Sequence, residues 1–175
     1  LQPGLQVFDD YPLQELVDCI DWSPFFNAWE LAGKFPAILT DSIVGKQASE
    51  LYADARAMLK QIVSEKWLTA KAACGFWPAN TVGDDIVLQK DGADVWLRCL
   101  RQQADKPIER PNLCLADYIA PQDSGKQDWV GAFAVTTGLG IEPHLERFRA
   151  EHDDYNAILL KSLADRLAEA FAERL

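Results

Sequence analysis

The chain has 175 residues, 49% of them apolar and 25% charged, enough to bury a sizeable core and unlike a disordered composition. Its formal net charge of -10 repels phosphate backbones and anionic bilayers, which sets nucleic acids and membrane surfaces aside as partners. Cys19, Cys74, Cys99 and Cys114 are scattered with no Cys-x-x-Cys pair, so they read as reduced, mostly buried thiols and not as a zinc site or a disulfide framework.

No basic segment followed by an apolar run opens the chain, and no apolar stretch reaches about 18 residues, so the expected compartment is the cytoplasm. In chain order, residues 11–20 carry a short amphipathic pattern with Leu13, Leu16, Val17 and Ile20 on one side. Ser23 followed by Pro24 predicts an N-cap and first turn for a helix over residues 24–31, ended by Gly33. Residues 45–67 predict a longer helix whose apolar stripe is Ala48, Leu51, Ala55, Met58, Leu59, Ile62 and Val63.

Residues 72–78 read as a buried strand, 80–84 as a turn and 86–89 as a second strand. Asp91-Gly92 then pairs residues 86–89 with 95–100 as a hairpin. Residues 102–112 are polar, with two prolines, and predict a loop; 113–119 read as another buried segment and 121–126 as a turn. Residues 129–137 predict a strand closed by Gly138-Leu139-Gly140, followed by a short helix over 144–150 and a long one over 153–175. This order predicts an α+β fold: a mostly antiparallel, bent β-sheet packed with helices, including the long C-terminal helix.

Few residues offer chemistry. Asp21 stands among Ile20, Trp22, Phe25 and Phe26; its carboxylate needs a local N–H or a bound cation, and the plain reading is a helix-capping or turn aspartate. Asp165, Glu169 and Glu173 lie four residues apart on one face of the last helix, opposite Leu163, Leu167 and Phe171; alone, such a stripe is a solvated face. His152-Asp153-Asp154 and Asp84-Asp85 are poor arithmetic for a transition metal with only two histidines in the chain, and fit a helix start and a turn. There is no Gly-x-Ser-x-Gly elbow, no Gly-x-Gly-x-x-Gly and no phosphate-binding loop, so neither a catalytic residue nor a Rossmann-type site is expected.

Three blocks stand out as a set: Asp21-Trp22-Ser23-Pro24-Phe25-Phe26 continued by Trp29 and Gly33-Lys34-Phe35-Pro36; Phe76-Trp77-Pro78-Ala79-Asn80 with Gly83-Asp84-Asp85; and His152-Asp153-Asp154-Tyr155-Asn156 leading to Ala164 through Phe171. Together they resemble the S-adenosylmethionine-binding reactivation domain of cobalamin-dependent methionine synthase, over essentially the whole chain. The resemblance implies a methyltransferase domain that binds S-adenosylmethionine and supports reductive methylation of inactive cob(II)alamin. It implies two partners as well: the cobalamin-binding domain of the same protein, and a flavodoxin or similar flavoprotein as electron donor. By the same resemblance, Asp21 helps hold the cationic amino-acid end of S-adenosylmethionine, while Asp165 and especially Glu169 face the cofactor cleft near that ligand and the corrin.

Both ends of the chain read as cut, because Leu1 is not an initiator Met and the last helical pattern reaches Leu175 without a stop signal. Residues 1–175 are thus expected to be a single domain, the N-terminal and central part of the reactivation domain. The family's other ligand contacts, in an Arg-x-x-x-Gly-Tyr-type segment beyond the last helix, have no counterpart here; Arg110-Pro111 and Arg147 do not fit it. The expectation is a fragment inactive alone. Two alternatives remain at this level: a docking module for a flavodoxin-like or cobalamin-binding partner with no ligand of its own, and a metal-dependent hydrolase using His152, Asp153, Asp154 and Asp84.

Overall fold

The computed structural model of the protein describes residues 3–107 and 109–175. Five strands, β1 (Gly4–Tyr11), β2 (Thr69–Val82), β3 (Asp85–Lys90), β4 (Ala93–Leu97) and β5 (Asp128–Leu139), form one sheet in the order β1-β2-β3-β4, with β5 also pairing with β2. The helices are α1 (Leu13–Val17), α2 (Trp22–Ala28), α3 (Gly45–Ser64), α4 (Glu142–Ala150) and α5 (Asp154–Arg174). The class is α+β, as the segment order predicts. Strand β1 lies where the sequence pattern assigns nothing, because an isolated Gln-Val-Phe-Asp-Asp run is too polar to declare a strand until a neighbour pairs with it.

The chain forms two compact units. One comprises Val7–Ala73 and Ala134–Leu175. Its core is helical: Leu16, Phe25, Phe26, Ile38, Ile62, Leu159, Leu160, Leu163, Leu167 and Phe171 are fully buried. Each such side chain contributes about 1.5–3 kcal/mol by leaving water. Helix α5 is the hub, touching α1, α2, α3 and α4. Its Leu163, Leu167 and Phe171 recur at helical spacing and are all buried, while Asp165, Glu169 and Glu173 are exposed, as the periodicity predicts. The apolar stripe of α3 is buried in the same way, apart from half-buried Val63.

Helix α2 starts two residues earlier than predicted. Asp21 is its N-cap, and Ser23 lies inside the first turn with its hydroxyl accepting the Phe35 N–H at 3.3 Å. Both Asp and Ser cap well, so the choice falls to the residue whose oxygen reaches a free N–H; that is Asp21. The helix also ends before Gly33: Glu30 takes φ 59°, and Leu31 N–H turns back to the Phe26 carbonyl at 3.0 Å.

The second unit comprises the described residues up to Gln6 and Cys74–Phe133. Strands β3 and β4 pair antiparallel from Ile86↔Leu97 to Lys90↔Ala93. Asp91 (φ 53°) and Gly92 (φ 79°) form the two-residue turn that the sequence announces. The core here is small: Ala79, Ile86, Leu88, Cys114 and Ala116. Residues 113–119 are therefore only partly the buried segment expected, since Leu115 and Tyr118 are about 70% exposed. The reason is local: Leu115–Tyr118 is a 3-10 turn, which cannot bury consecutive apolar residues as a strand between two layers does. All four cysteines are free, but only Cys114 is buried and the others are half-buried.

Arg98 and Arg101 are tied down by charge. Arg101 bridges Asp84 and Asp117 at 2.6 and 2.7 Å and donates to the Asn112 carbonyl at 2.8 Å. Asp85 pairs with Arg98 and accepts Cys99 N–H at 3.2 Å. Arg101, followed by the Cys114 N–H, holds the Asp117 carboxyl down at about 2.

Candidate functional site

Asp21 is exposed at the start of α2. Its Oδ1 accepts the Ser23 N–H at 2.9 Å; among the described residues, no hydrogen bond or ion pair engages Oδ2. Trp22, Phe25 and Phe26 point into the core and lock the helix: Trp22 meets Phe25 and Tyr52 edge-on at centroid distances of 5.3 and 4.9 Å, and Phe26 stacks on Phe35 at 6.3 Å. The aromatic block of the sequence is thus the rigid base on which an exposed carboxylate is held, not a wall around it.

Asp165 and Glu169 both bind Arg166. Asp165 meets it at 2.6 Å, and Glu169 lies one helical turn on in direct contact. The Arg166 side chain is only 14% exposed, against 71% and 48% for those of the two acids. A cation so withdrawn from water needs counter-charges, which makes the two carboxylates its partners before they are anything else. Arg166 escaped the sequence reading, although an Arg three residues before Glu169 on a helix is a pairing signal.

A cavity of about 270 Å³ lies between α2 and α5, lined by Pro24, Phe25, Ala28, Lys161, Ser162, Asp165 and Arg166. Asp165 borders it directly. Asp21 and Glu169 do not line it, but Asp21 caps the helix that supplies one wall, and Glu169 holds the arginine of the other.

The remaining acids are engaged elsewhere. Asp153 is the N-cap of α5, accepting Asn156 N–H at 3.0 Å and Asn156 Nδ2 at 2.7 Å. Those two bonds, the side-chain one foremost, hold its carboxyl below the usual range. Asp84 is committed to Arg101. Among the described residues no three His, Cys, Asp or Glu side chains converge as metal ligands, and no helix is long and apolar enough to cross a membrane. His144 stacks on Trp67 at 4.4 Å; burial first, then Arg147, pushes its imidazole down from the usual range.

These features define a class: an α+β domain with a charged cavity between two helices, one of them capped by an exposed, fixed carboxylate. The comparisons with known proteins are specific. The family model described as vitamin B12 dependent methionine synthase, activation domain, matches residues 12–175, and the chain belongs to that family. It is also similar to a solved structure described as the crystal structure of the MetH reactivation domain bound to AdoHcy. The sequences are 47% identical, the TM-score is 0.92, and the match covers 99% of this chain. The chain spans about half of that solved chain, 54% of its length.

Proposed function

We propose that this chain is the N-terminal and central part of a methionine synthase reactivation domain, that it carries one side of an S-adenosylmethionine site, and that it supports reductive methylation of cob(II)alamin. The observation that carries this reading is the 47% identity, sustained over 99% of the chain, to a reactivation domain solved with AdoHcy.

Asp21 fits the ligand's chemistry. Ser23 N–H fixes the carboxylate through Oδ1, leaving Oδ2 to accept from the ammonium group of the methyl donor. The capped helix does not compete for that oxygen. Asp165 and Glu169 add negative charge to the same two-helix region, and through Arg166 they present a structured, mixed-charge surface to the cofactor cleft. The role of these residues is placement: a held ligand has its methyl group oriented before reaction, which removes an entropic part of the barrier. Cobalamin, which another domain of the full-length protein would mainly hold, would supply the methyl-accepting cobalt centre, and a flavodoxin-like flavoprotein would supply the electron. Isolated from those partners, the chain is inactive as a methyltransferase. Its four free thiols accord with a cytoplasmic setting.

Isothermal titration with S-adenosylmethionine tests the reading. A polypeptide extended through the Arg-x-x-x-Gly-Tyr-type segment should bind tightly, and this chain alone weakly or not at all. Equal, tight binding by both would overturn the half-site assignment. No binding by the extended form would overturn the ligand itself.

A further inference from the structure

Strand β4 ends the sheet. It pairs with β3 alone, and among the described residues no strand lies along its outer edge. All five of its residues are exposed, and Val95, Trp96 and Leu97 keep 39%, 42% and 39% of their surface in water. A two-residue turn at Asp91-Gly92 makes Lys90 and Ala93 the first hydrogen-bonded pair of the hairpin. Alternation along an antiparallel ladder then turns the backbone groups of Val95 and Leu97 toward β3 and those of Asp94 and Trp96 outward. Sheet edges are commonly guarded by a proline or a lysine, and Ala93–Leu97 contains neither.

The side chains divide in the same way. Val95 and Leu97 stand opposite Leu88 and Ile86, which are buried in the small core of this unit, so an apolar face crosses the hairpin and stops uncovered at β4. On the other face Arg98 stacks over Trp96 at 4.7 Å and pairs with Asp85, while its side chain stays 71% exposed. What fits this edge is written in the edge itself, because Asp94-Val95-Trp96-Leu97-Arg98 complements its own reverse. Laid antiparallel about Trp96, a second copy brings its Arg98 opposite Asp94, its Leu97 opposite Val95 and its Trp96 opposite Trp96. Opposite charges then meet at both ends, apolar side chains continue the core face, and outward backbone groups meet outward backbone groups. A shift of one residue sets outward groups against inward ones, and a shift of two takes the acid away from the arginine.

We propose that two copies of this chain pair through β4, antiparallel about Trp96, and extend the sheet across a two-fold axis. Such pairing is isologous: it uses the same edge on both copies and closes at a dimer. A strand of five residues makes a small interface, so the association is weak and depends on concentration.

Sedimentation equilibrium of the whole chain tests this at about 0.15 M salt, where repulsion between two molecules of charge -10 is screened beyond about 8 Å. The parent should pass from monomer toward dimer between about 10 μM and 1 mM, with no larger species. Asp94→Arg sets like charges opposite each other at both ends and should weaken association by about tenfold or more, and Arg98→Asp should do the same. Mixed one to one, those two variants regain complementary ends, and the mixture should associate as the parent does. Trp96→Lys places two ammonium groups on the axis and should stay monomeric. Asp94 and Trp96 are exposed, so their variants remain folded, which circular dichroism checks. The proposal is overturned if the parent is still monomeric at about 1 mM, if Asp94→Arg or Trp96→Lys dimerises as the parent does, if the mixture associates no better than its components, or if species larger than a dimer grow with concentration.

Discussion

Asp21 has two jobs in this reading, and two substitutions separate them. Asp21→Ala removes both the cap of α2 and the charge; Asp21→Asn keeps an oxygen that can accept the Ser23 N–H and removes only the charge. The cap is one 2.9 Å hydrogen bond at an exposed site on a seven-residue helix. Its loss should cost about 1 kcal/mol, a drop of about 2–4 °C in Tm for a chain of this size. Because Trp22, Phe25 and Phe26 remain buried, the helix should still form in the alanine variant. The asparagine variant should melt within a few tenths of a kcal/mol of the parent, since Asn caps as well as Asp.

Ligand affinity should follow a different order. Replacing a charged acceptor of the ligand's ammonium by a neutral one should weaken S-adenosylmethionine binding by about 1–3 kcal/mol in the extended polypeptide, roughly five- to 150-fold. The alanine variant should lose at least as much. Thermal melting without ligand and isothermal titration with it, run on the same three proteins, provide both readouts. An asparagine variant that binds like the parent would reduce Asp21 to a helix cap and remove it from the site. An alanine variant as stable as the parent would remove the cap instead.

Three further outcomes test the scaffold. Thr137, 1% exposed, donates its hydroxyl to the Ala164 carbonyl at 2.6 Å; Thr137→Val should destabilise by about 1 kcal/mol, measurable by denaturant unfolding, because that carbonyl keeps its own helical partner. Gly140 takes φ 94°, and a Cβ there would stand 2.8 Å from the Trp67 carbonyl oxygen; Gly140→Ala should cost about 2–4 kcal/mol, and an unchanged melting curve would contradict the strain. Asp117 is held at about 2 against an ordinary 3.8, so it contributes stability that is complete above the ordinary value and is lost as pH falls from there toward 2. Arg101→Gln should therefore flatten the acid limb of the stability–pH curve in that window, whereas an identical limb would show that the arginine does not set it.

Much of this protein is legible without coordinates. The stripes of α3 and α5, the Asp91-Gly92 hairpin and strand β5 follow from periodicity and turn chemistry, which are local properties of the chain. The aromatic block at Asp21 and the two later blocks, which suggest the family, all lie within residues 12–175, the span that the family model matches. Sequence pattern places the start of α2 two residues late because Asp and Ser are near-equal caps by propensity, and only the folded turn shows which oxygen meets the N–H. Long-range partners were equally hidden. Arg101 joins acids 17 residues before it and 16 after it, and the cavity between α2 and α5 unites residues more than a hundred positions apart. Sequence by itself determined the class of fold, the family and the identity of the exposed carboxylates, since these depend on pattern and composition. Tertiary structure alone decided which charges are paired and which stand free, because pairing is settled by distances of a few ångströms between segments whose approach is paid for by the whole core.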